Sequence, residues 1–486
     1  MATALPRLRL TPFIDGAFQE SGCAVDPLVD PATEKVFASV TSAGPEQVEK
    51  AIGAARLAFD EGDWPRMPVY ERGQVLRAIA DAITARSEDL ALLESVNGGK
   101  PITGARREVA GAARVFNYYA GAMDKFFGDT IPVAENLLNF TLREPLGVVA
   151  QITPWNFPLL AAAWKLAPAL AAGCASLLKP SPLTPLSTLL LAEITADCGV
   201  PKGIVNILPG GGDIGQLLAE HDAIDGISFT GSTAVGAAVM RAAAATIKSV
   251  ALELGGKNAC IVFDNADIEK AAKSAVGAAF GNAGQSCSAR SRMLVQKSAV
   301  IPFTRALVAE LGKLRLGSPL DAATTLGPLI SAAHWSRVER SVRIAEQGGA
   351  RLVAGGHRPG DLPKGNFYLP TVFGDVSPEL PLYNDEIFGP VCSVTPFDTE
   401  AQAIRMANAS AYGLNGSVWS RDIGQALRVA KAVRTGMVAV NGLPSASSTS
   451  VFAPFGGYKR SGLGRELGMN ALAFYTEVKT VTVDLS

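Results

Sequence analysis

Short apolar runs alternating with helical stretches occupy the middle of this chain, and that alternation admits few folds. Gly147 to Ile152, Ala175 to Leu178, Ile204 to Leu208 and Gly226 to Phe229 are short runs rich in strand-forming residues. Between them, Leu159 to about Gly173, Leu183 to Cys198 and Gly215 to His221 read as helices. A strand followed by a helix and a second strand closes most simply as a parallel pair, since the helix returns the chain to its starting end. The expected class is α/β with a doubly wound sheet, and dinucleotides often bind at the carboxyl ends of such strands.

A second α/β series begins at Asn258. It comprises strands at Ala259 to Phe263 and Ser291 to Gln296, with helices at Ile268 to Phe280, Val300 to Leu314 and His334 to Gln347. Amphipathic spacing also predicts helices over Pro45 to Phe59, Val69 to Asn97 and Glu108 to Phe127. Pro359 to Pro370, rich in Gly, Pro and Asn, reads as a surface excursion, and Ser445 to Ser450 as a short low-complexity loop. The alternating run Val478 to Val483 is an edge strand that needs a partner, and pairing across a subunit boundary supplies one.

At 486 residues the chain is too long for one simple core, so two or three domains are expected. A formal charge of −1 and no dense Lys/Arg run argue against nucleic acid or an anionic membrane as partner. The six cysteines contain no CxxC pair and the three histidines are dispersed, which disfavours a structural metal and suits free thiols in a reducing compartment. Met1 to Leu10 lacks the apolar centre of a signal peptide. The apolar stretch Leu159 to Leu178 holds Lys165, Pro168 and Gly173, so it reads as a buried helix and strand rather than a membrane span. The expectation is a soluble cytoplasmic protein.

Two residues carry chemistry. Cys287 stands among small and polar neighbours, Asn282-Ala283-Gly284-Gln285-Ser286 before it and Ser288 after it. Glu253 is the lone carboxylate of the apolar, glycine-rich Leu252-Glu253-Leu254-Gly255-Gly256-Lys257. A thiol is a capable nucleophile near neutral pH, and a desolvated carboxylate is a capable general base. A buried structural cysteine and a Glu253–Lys257 pair on a helix end remain alternatives on these residues alone. Gly210-Gly211-Gly212-Asp213-Ile214-Gly215 satisfies GxGxxG after a candidate strand, but the next strand ends at Phe229-Thr230-Gly231-Ser232 without the acidic residue that completes the fingerprint. A glycine-rich turn lying near a cofactor is the preferred reading of that segment.

Six further motifs fall in order around these two. They are Pro154-Trp155-Asn156-Phe157-Pro158, Lys179-Pro180-Ser181, Phe229-Thr230-Gly231-Ser232-Thr233, Glu386-Ile387-Phe388-Gly389-Pro390, Pro454-Phe455-Gly456-Gly457-Tyr458-Lys459 and Gly464-Arg465-Glu466-Leu467-Gly468. With them the chain resembles the NAD(P)-dependent aldehyde dehydrogenase superfamily from about Phe13 to the last strand, and specifically its hydrolytic members. The resemblance implies a Rossmann-like cofactor domain (1–124, 145–254 and 445–465), an α/β catalytic domain (255–444) and a small β oligomerisation flap (125–144 and 466–486). It implies a homodimer or homotetramer.

The resemblance also assigns roles. Cys287 would attack the aldehyde, with the Asn156 amide and the Cys287 N–H as oxyanion hole. Glu253 would activate the water that hydrolyses the resulting thioester, so the product would be a free acid. Lys165 and Glu466 match a pair thought to relay protons, and a simple salt bridge is the alternative. For the cofactor, NAD or NADP, Lys179 would hold the adenosine ribose and Gly231 and Ser232 the pyrophosphate. Glu386 would hold the nicotinamide ribose, with Phe388 beside the ring. Ile152, Thr153, Pro154 and Trp155, Gly211 and Gly215, and Phe229, Val235, Leu254 and Gly255 complete that surface.

The substrate tunnel implied by the resemblance involves Gly111, Phe157, Trp164, Ser286, Ser288, Thr449 and Phe455. Its rings suggest an apolar or aromatic aldehyde, and no acidic cluster in the sequence invites a cationic one. One departure concerns the cofactor. Three residues after Lys179, where NAD-preferring relatives commonly place a glutamate, stands Pro182, which leaves NADP open. Two rival classes remain: a thiol hydrolase or acyltransferase without redox chemistry, and a non-catalytic protein on the same fold. The first leaves Lys179, Gly231, Ser232 and Glu386 without a task; the second has no use for an intact nucleophile and base.

Overall fold

The computed structural model describes residues 5–20, 24–442 and 450–486. Its largest sheet has a parallel centre in the order Val205–Ile207, Ala175–Lys179, Val148–Ile152, Gly226–Thr230, Ser249–Glu253. The chain starts in the middle, winds outward one way, then returns and winds the other. The order therefore reverses between Val148–Ile152 and Gly226–Thr230, where the flanking loops part and leave a crevice. Short antiparallel strands close the edges, Phe13–Ile14 against Val205–Ile207 and Gly462–Leu463 against Ser249–Glu253.

The helix Pro158–Ala172 follows the first central strand. Proline at its first position suits a residue whose N–H has no helical partner, and left-handed Gly173 (φ 96°) ends it. Every residue except Trp164 is buried, which explains the near-continuous apolar sequence. Among the described residues no helix is long and apolar enough to cross a membrane.

Three expected elements differ. The stretch Val69 to Asn97 is two helices, Val69–Ala85 and Ser87–Gly98, broken at Arg86 (φ −101°, ψ 22°). The next helix runs Ile102–Ala120, earlier at both ends than the apolar spacing suggests, and stops before Gly121. The excursion at 359–370 is exposed only in part. Gly365 to Tyr368 are buried, the Asn366 N–H donates to the Pro31 carbonyl at 2.9 Å, and the Tyr368 hydroxyl donates to Glu339.

The second sheet has the order Arg351–Ala354, Thr371–Gly374, Val391–Phe397, Arg292–Gln296, Ala259–Val262, Asn415–Trp419, Met437–Val440, all parallel except the first. The third is antiparallel, Thr476–Asp484 on Leu137–Pro145 on Thr130–Ile131. The terminal strand thus has a partner within its own chain over its whole length. It still forms the sheet's margin, since no described strand pairs with its other side.

Candidate active site

Cys287 rides on a loop with an unusual backbone. Asn282 (φ 52°), Ala283 (φ 54°) and Gly284 (φ 72°) are all left-handed, a conformation that costs free energy for residues with a Cβ. A Cβ on Gly284 would lie 2.1 Å from the Gly389 carbonyl, so only glycine fits. Buried Gln285 holds this turn. Its amide donates to the Asn282 carbonyl at 3.1 Å, its side-chain oxygen accepts the Ile330 N–H at 2.8 Å, and its carbonyl accepts the Asn156 amide at 3.0 Å. Asn258 donates to the carbonyls of Cys287 (2.7 Å) and Ala289 (3.0 Å). The loop therefore leaves Cys287 partly exposed on a cavity wall.

Glu253 ends the strand Ser249–Glu253 and faces the same cavity, and both of its carboxylate oxygens are buried without a hydrogen-bond partner. Burial, with Glu466 nearby, raises its pKa well above the carboxylate range; Lys165 opposes the shift. An orphaned buried carboxylate is costly and marks a group kept for use. Burial also pushes the Cys287 thiol well above its ordinary range, and Glu253, Glu386 and Glu466 add to that shift. The Asn156 amide comes from the other side, where the central strand Val148–Ile152 gives way to the helix at Pro158.

Trp164 and Lys165 are consecutive and lie about 100° apart around the helix. Trp164 faces the cavity, packed at 5.0 Å between centroids on Phe455. Lys165 is fully buried; it pairs with Glu466 and donates to Ser228 Oγ at 2.9 Å. The backbones of Phe455 and Glu466 exchange hydrogen bonds of 2.6 and 2.7 Å, which ties the cavity wall to the buried pair.

The cavity encloses about 1040 Å³ and runs from these groups to the crevice of the first sheet. Its far end is lined by Ile152, Thr153, Pro154, Trp155, Lys179, Gly211, Gly215, Phe229, Gly231, Ser232, Val235, Leu254 and Gly255. The Lys179 ammonium donates to the Gly210 carbonyl at 2.7 Å, and burial lowers its pKa to about 8. Ser232 caps the helix Thr233–Ala244, whose first-turn N–H groups suit an anion. The helix Gly212–Glu220 packs against Lys179 at Gly215, where a Cβ would make ordinary contact with Lys179 Cε at 3.6 Å. Glu386 and Phe388 line the opposite wall. Glu386 accepts the Gly256 N–H at 2.9 Å, and burial raises its pKa to about 7.

Several sequence candidates lie elsewhere. Gly111 is buried behind Leu160, whose Cδ1 would be 3.3 Å from a Cβ there, and Leu160 takes the wall position. Ser286 and Ser288 bond each other at 3.1 Å beside the thiol loop and do not line the large cavity. Thr449 lies outside the described residues. Sequence reading missed His334, Arg337 and Asn258. His334 and Arg337 line the cavity; the His334 ring bonds the carbonyl of left-handed Phe388 (φ 57°) at 2.7 Å and Arg337 at 3.1 Å. Asn258, adjoining the Glu253 motif, carried no local signal, because its partner carbonyls are backbone. Among the described residues no group of three or more His, Cys, Asp or Glu is placed to hold a metal ion.

Comparison with known proteins gives a consistent result. Residues 19–481 match the Aldehyde dehydrogenase family. The chain is similar to betaine aldehyde dehydrogenase of Bacillus subtilis (strain 168), 44% identical and covering 97% of this chain and 96% of that one. It is 41% identical to aminoaldehyde dehydrogenase 2 of Malus domestica, covering 99% of this chain and 97% of the relative. Among solved structures it resembles betaine aldehyde dehydrogenase from Staphylococcus aureus in complex with NAD+, at a TM-score of 0.96 and 41% identity over 99% of this chain and 95% of that one. Fold, cavity and near-complete alignment agree: this chain belongs to the aldehyde dehydrogenase family.

Proposed function

We propose that the protein oxidises an aldehyde to its carboxylic acid with a nicotinamide dinucleotide, through Cys287 and Glu253. One observation carries the reading: a partly exposed thiol and an unpartnered buried carboxylate share one cavity, whose far end offers an ammonium and a helix N-terminus. The Cys287 sulfur adds to the carbonyl carbon, its proton passes to the Glu253 carboxylate and from there to solvent, and the oxygen turns alkoxide, held by the Asn156 amide and the Cys287 N–H. When bound, the dinucleotide would supply the hydride acceptor for that carbon and a positive charge that favours the thiolate. Loss of hydride leaves a thioester on Cys287. Glu253 takes a proton from water, the hydroxide attacks the thioester, and acid leaves as the thiol is restored. Lys165 and Glu466 pass the proton on from Glu253.

The dinucleotide is NAD+, which the Staphylococcus aureus relative also binds; here Lys179 would hold the adenosine ribose, Ser232 the pyrophosphate and Glu386 the nicotinamide ribose. Pro182 lines the wall beside Lys179 and Ser181 and sets no carboxylate against a 2′-phosphate, which leaves NADP open. Phe157, Trp164 and Phe455 bound the substrate end and favour an apolar or aromatic aldehyde. The names of the relatives favour a second reading, an aldehyde carrying an ammonium group, which the same ring faces would hold by cation–π attraction. The division into 1–124, 145–254 and 445–465 for the cofactor and 255–444 for the thiol is supported by the two large sheets falling on either side of it. The margin of Thr476–Asp484, in the segment formed by 125–144 and 466–486, joins copies into a dimer or tetramer. The described cysteines are free, which fits a cytoplasmic enzyme.

A panel of aliphatic, aromatic, amino and trimethylammonio aldehydes, run with each dinucleotide, tests the reading by absorbance of the reduced cofactor. Reduced nicotinamide with at least one aldehyde is expected. None with any aldehyde, or equal rates from Cys287→Ala, overturns it.

A further inference from the structure

Four helices converge on one buried ion pair. Lys100 lies in the turn between the helices Ser87–Gly98 and Ile102–Ala120, shaped by left-handed Gly99 (φ 71°), and Ser95 Oγ donates to its carbonyl at 2.7 Å. Its ammonium donates to Glu108 and, at 3.3 Å, to Glu94 Oε2. The three side chains are 4%, 7% and 1% exposed in that order, so the cluster lies out of water. The other Glu94 oxygen accepts the Leu159 N–H at 3.1 Å and Ser187 Oγ at 2.5 Å.

Leu159 is the second residue of the helix Pro158–Ala172. First-turn N–H groups find no partner within their own helix. Phe157, the residue before the helix, has no side-chain cap, and Pro158 has no N–H. Glu94 therefore caps this helix from another one, and a carboxylate there also meets the positive end of the helix dipole. The Lys100 ammonium lies 4.9 Å from the Phe157 ring centroid, which ties the cluster to the cavity wall as well.

We propose that Glu94 and Lys100 are positioning residues for the reaction: their ion pair caps the helix Pro158–Ala172 from outside and so fixes the Asn156–Phe157 turn opposite the sulfur. Buried ion pairs are a weak source of stability, and this one acts through geometry. The inference rests on the reading of Asn156 as an oxyanion donor.

Rates per titrated thiol test it in purified enzyme. Glu94→Met, which has no acceptor for the Leu159 N–H, lowers kcat about tenfold while KM for the dinucleotide changes less than about twofold. Glu94→Gln keeps an oxygen there and restores kcat to within about threefold of wild type. A purely structural role lowers Tm and yield but spares kcat per folded site. An unchanged kcat in Glu94→Met, or equal losses in the Met and Gln variants, overturns the proposal. Should Glu94→Met not fold, Lys100→Gln in a Glu108→Gln background unties Glu94, and a kcat loss of less than about threefold overturns it instead. Asn156→Ala separates the two readings. It is expected to lower kcat about a hundredfold. A wild-type rate there removes the oxyanion assignment itself, whereas a slow Asn156→Ala beside a normal Glu94→Met removes only the positioning role.

Discussion

Asn258 holds Cys287 by its backbone: the side-chain amide donates to the Cys287 carbonyl at 2.7 Å, while its oxygen accepts the Asn415 N–H at 2.8 Å. The nucleophile's main chain is thus moored to the second sheet through one uncharged side chain. Asn258→Ala leaves the thiol present but loosens its placement. We expect kcat to fall about tenfold to a hundredfold with little change in dinucleotide affinity, measured per titrated thiol. A wild-type kcat would show that the loop holds its shape without this tie.

Glu253→Gln keeps the shape of the carboxylate and removes its basicity. Acylation and hydride loss proceed, and thioester hydrolysis stalls. Stopped-flow absorbance should show a burst of reduced dinucleotide close to one per active site, followed by turnover slowed at least about a hundredfold. Steady turnover at the wild-type rate would remove Glu253 from the hydrolytic step.

The same substitution has a pH-dependent effect on stability. Burial raises the Glu253 pKa in the folded state, so the native protein holds its proton where the unfolded chain has released it. The penalty is absent below the unfolded pKa of about 4.5, grows as pH rises, and is complete above the folded value. Glu253→Gln escapes it. The variant should melt above wild type at pH 8, by about 2 °C or more, and the gap should close toward pH 5. Equal melting temperatures at both pH values would mean that Glu253 is better solvated than its unpartnered oxygens indicate.

Pro182 sits in the cavity wall two residues from Pro180, whose carbonyl the Lys179 ammonium touches at 3.0 Å. Pro182→Glu places a carboxylate where a ribose hydroxyl can be gripped and a 2′-phosphate repelled. The ratio of kcat/KM for NAD over NADP should rise at least about tenfold, as one buried charge contact allows. An unchanged ratio would place the adenosine ribose elsewhere.

Much of this was legible before any coordinates. The alternation of apolar runs and helices yields the parallel centre of the first sheet, because buried strands leave continuous apolar sequence. Cys287 and Glu253 stood out because a core does not surround a cysteine with Gln and Ser, nor end a strand in an isolated Glu just before two glycines, and the structure places both on one cavity. What escaped was non-local. The break at Arg86 carries no Pro or Gly, and its neighbours keep helical spacing. Leu160 replaces Gly111 at the wall because the helix carrying Gly111 packs behind it. Glu94 carries no local signal, since its partners Leu159 and Ser187 lie many residues away and one of them is a backbone N–H.

The terminal sheet bears on how such a chain comes to be folded. The side chains of Asn139 and Thr482, bonded at 2.8 Å, are 343 residues apart. During synthesis Leu137–Pro145 leaves the ribosome long before Thr476–Asp484 exists, so this strand must wait, its ladder groups open to wrong neighbours, while the residues between them are made. Closure of this sheet therefore comes late in synthesis relative to its first strand, and chaperone dependence is expected to track this one delayed pairing.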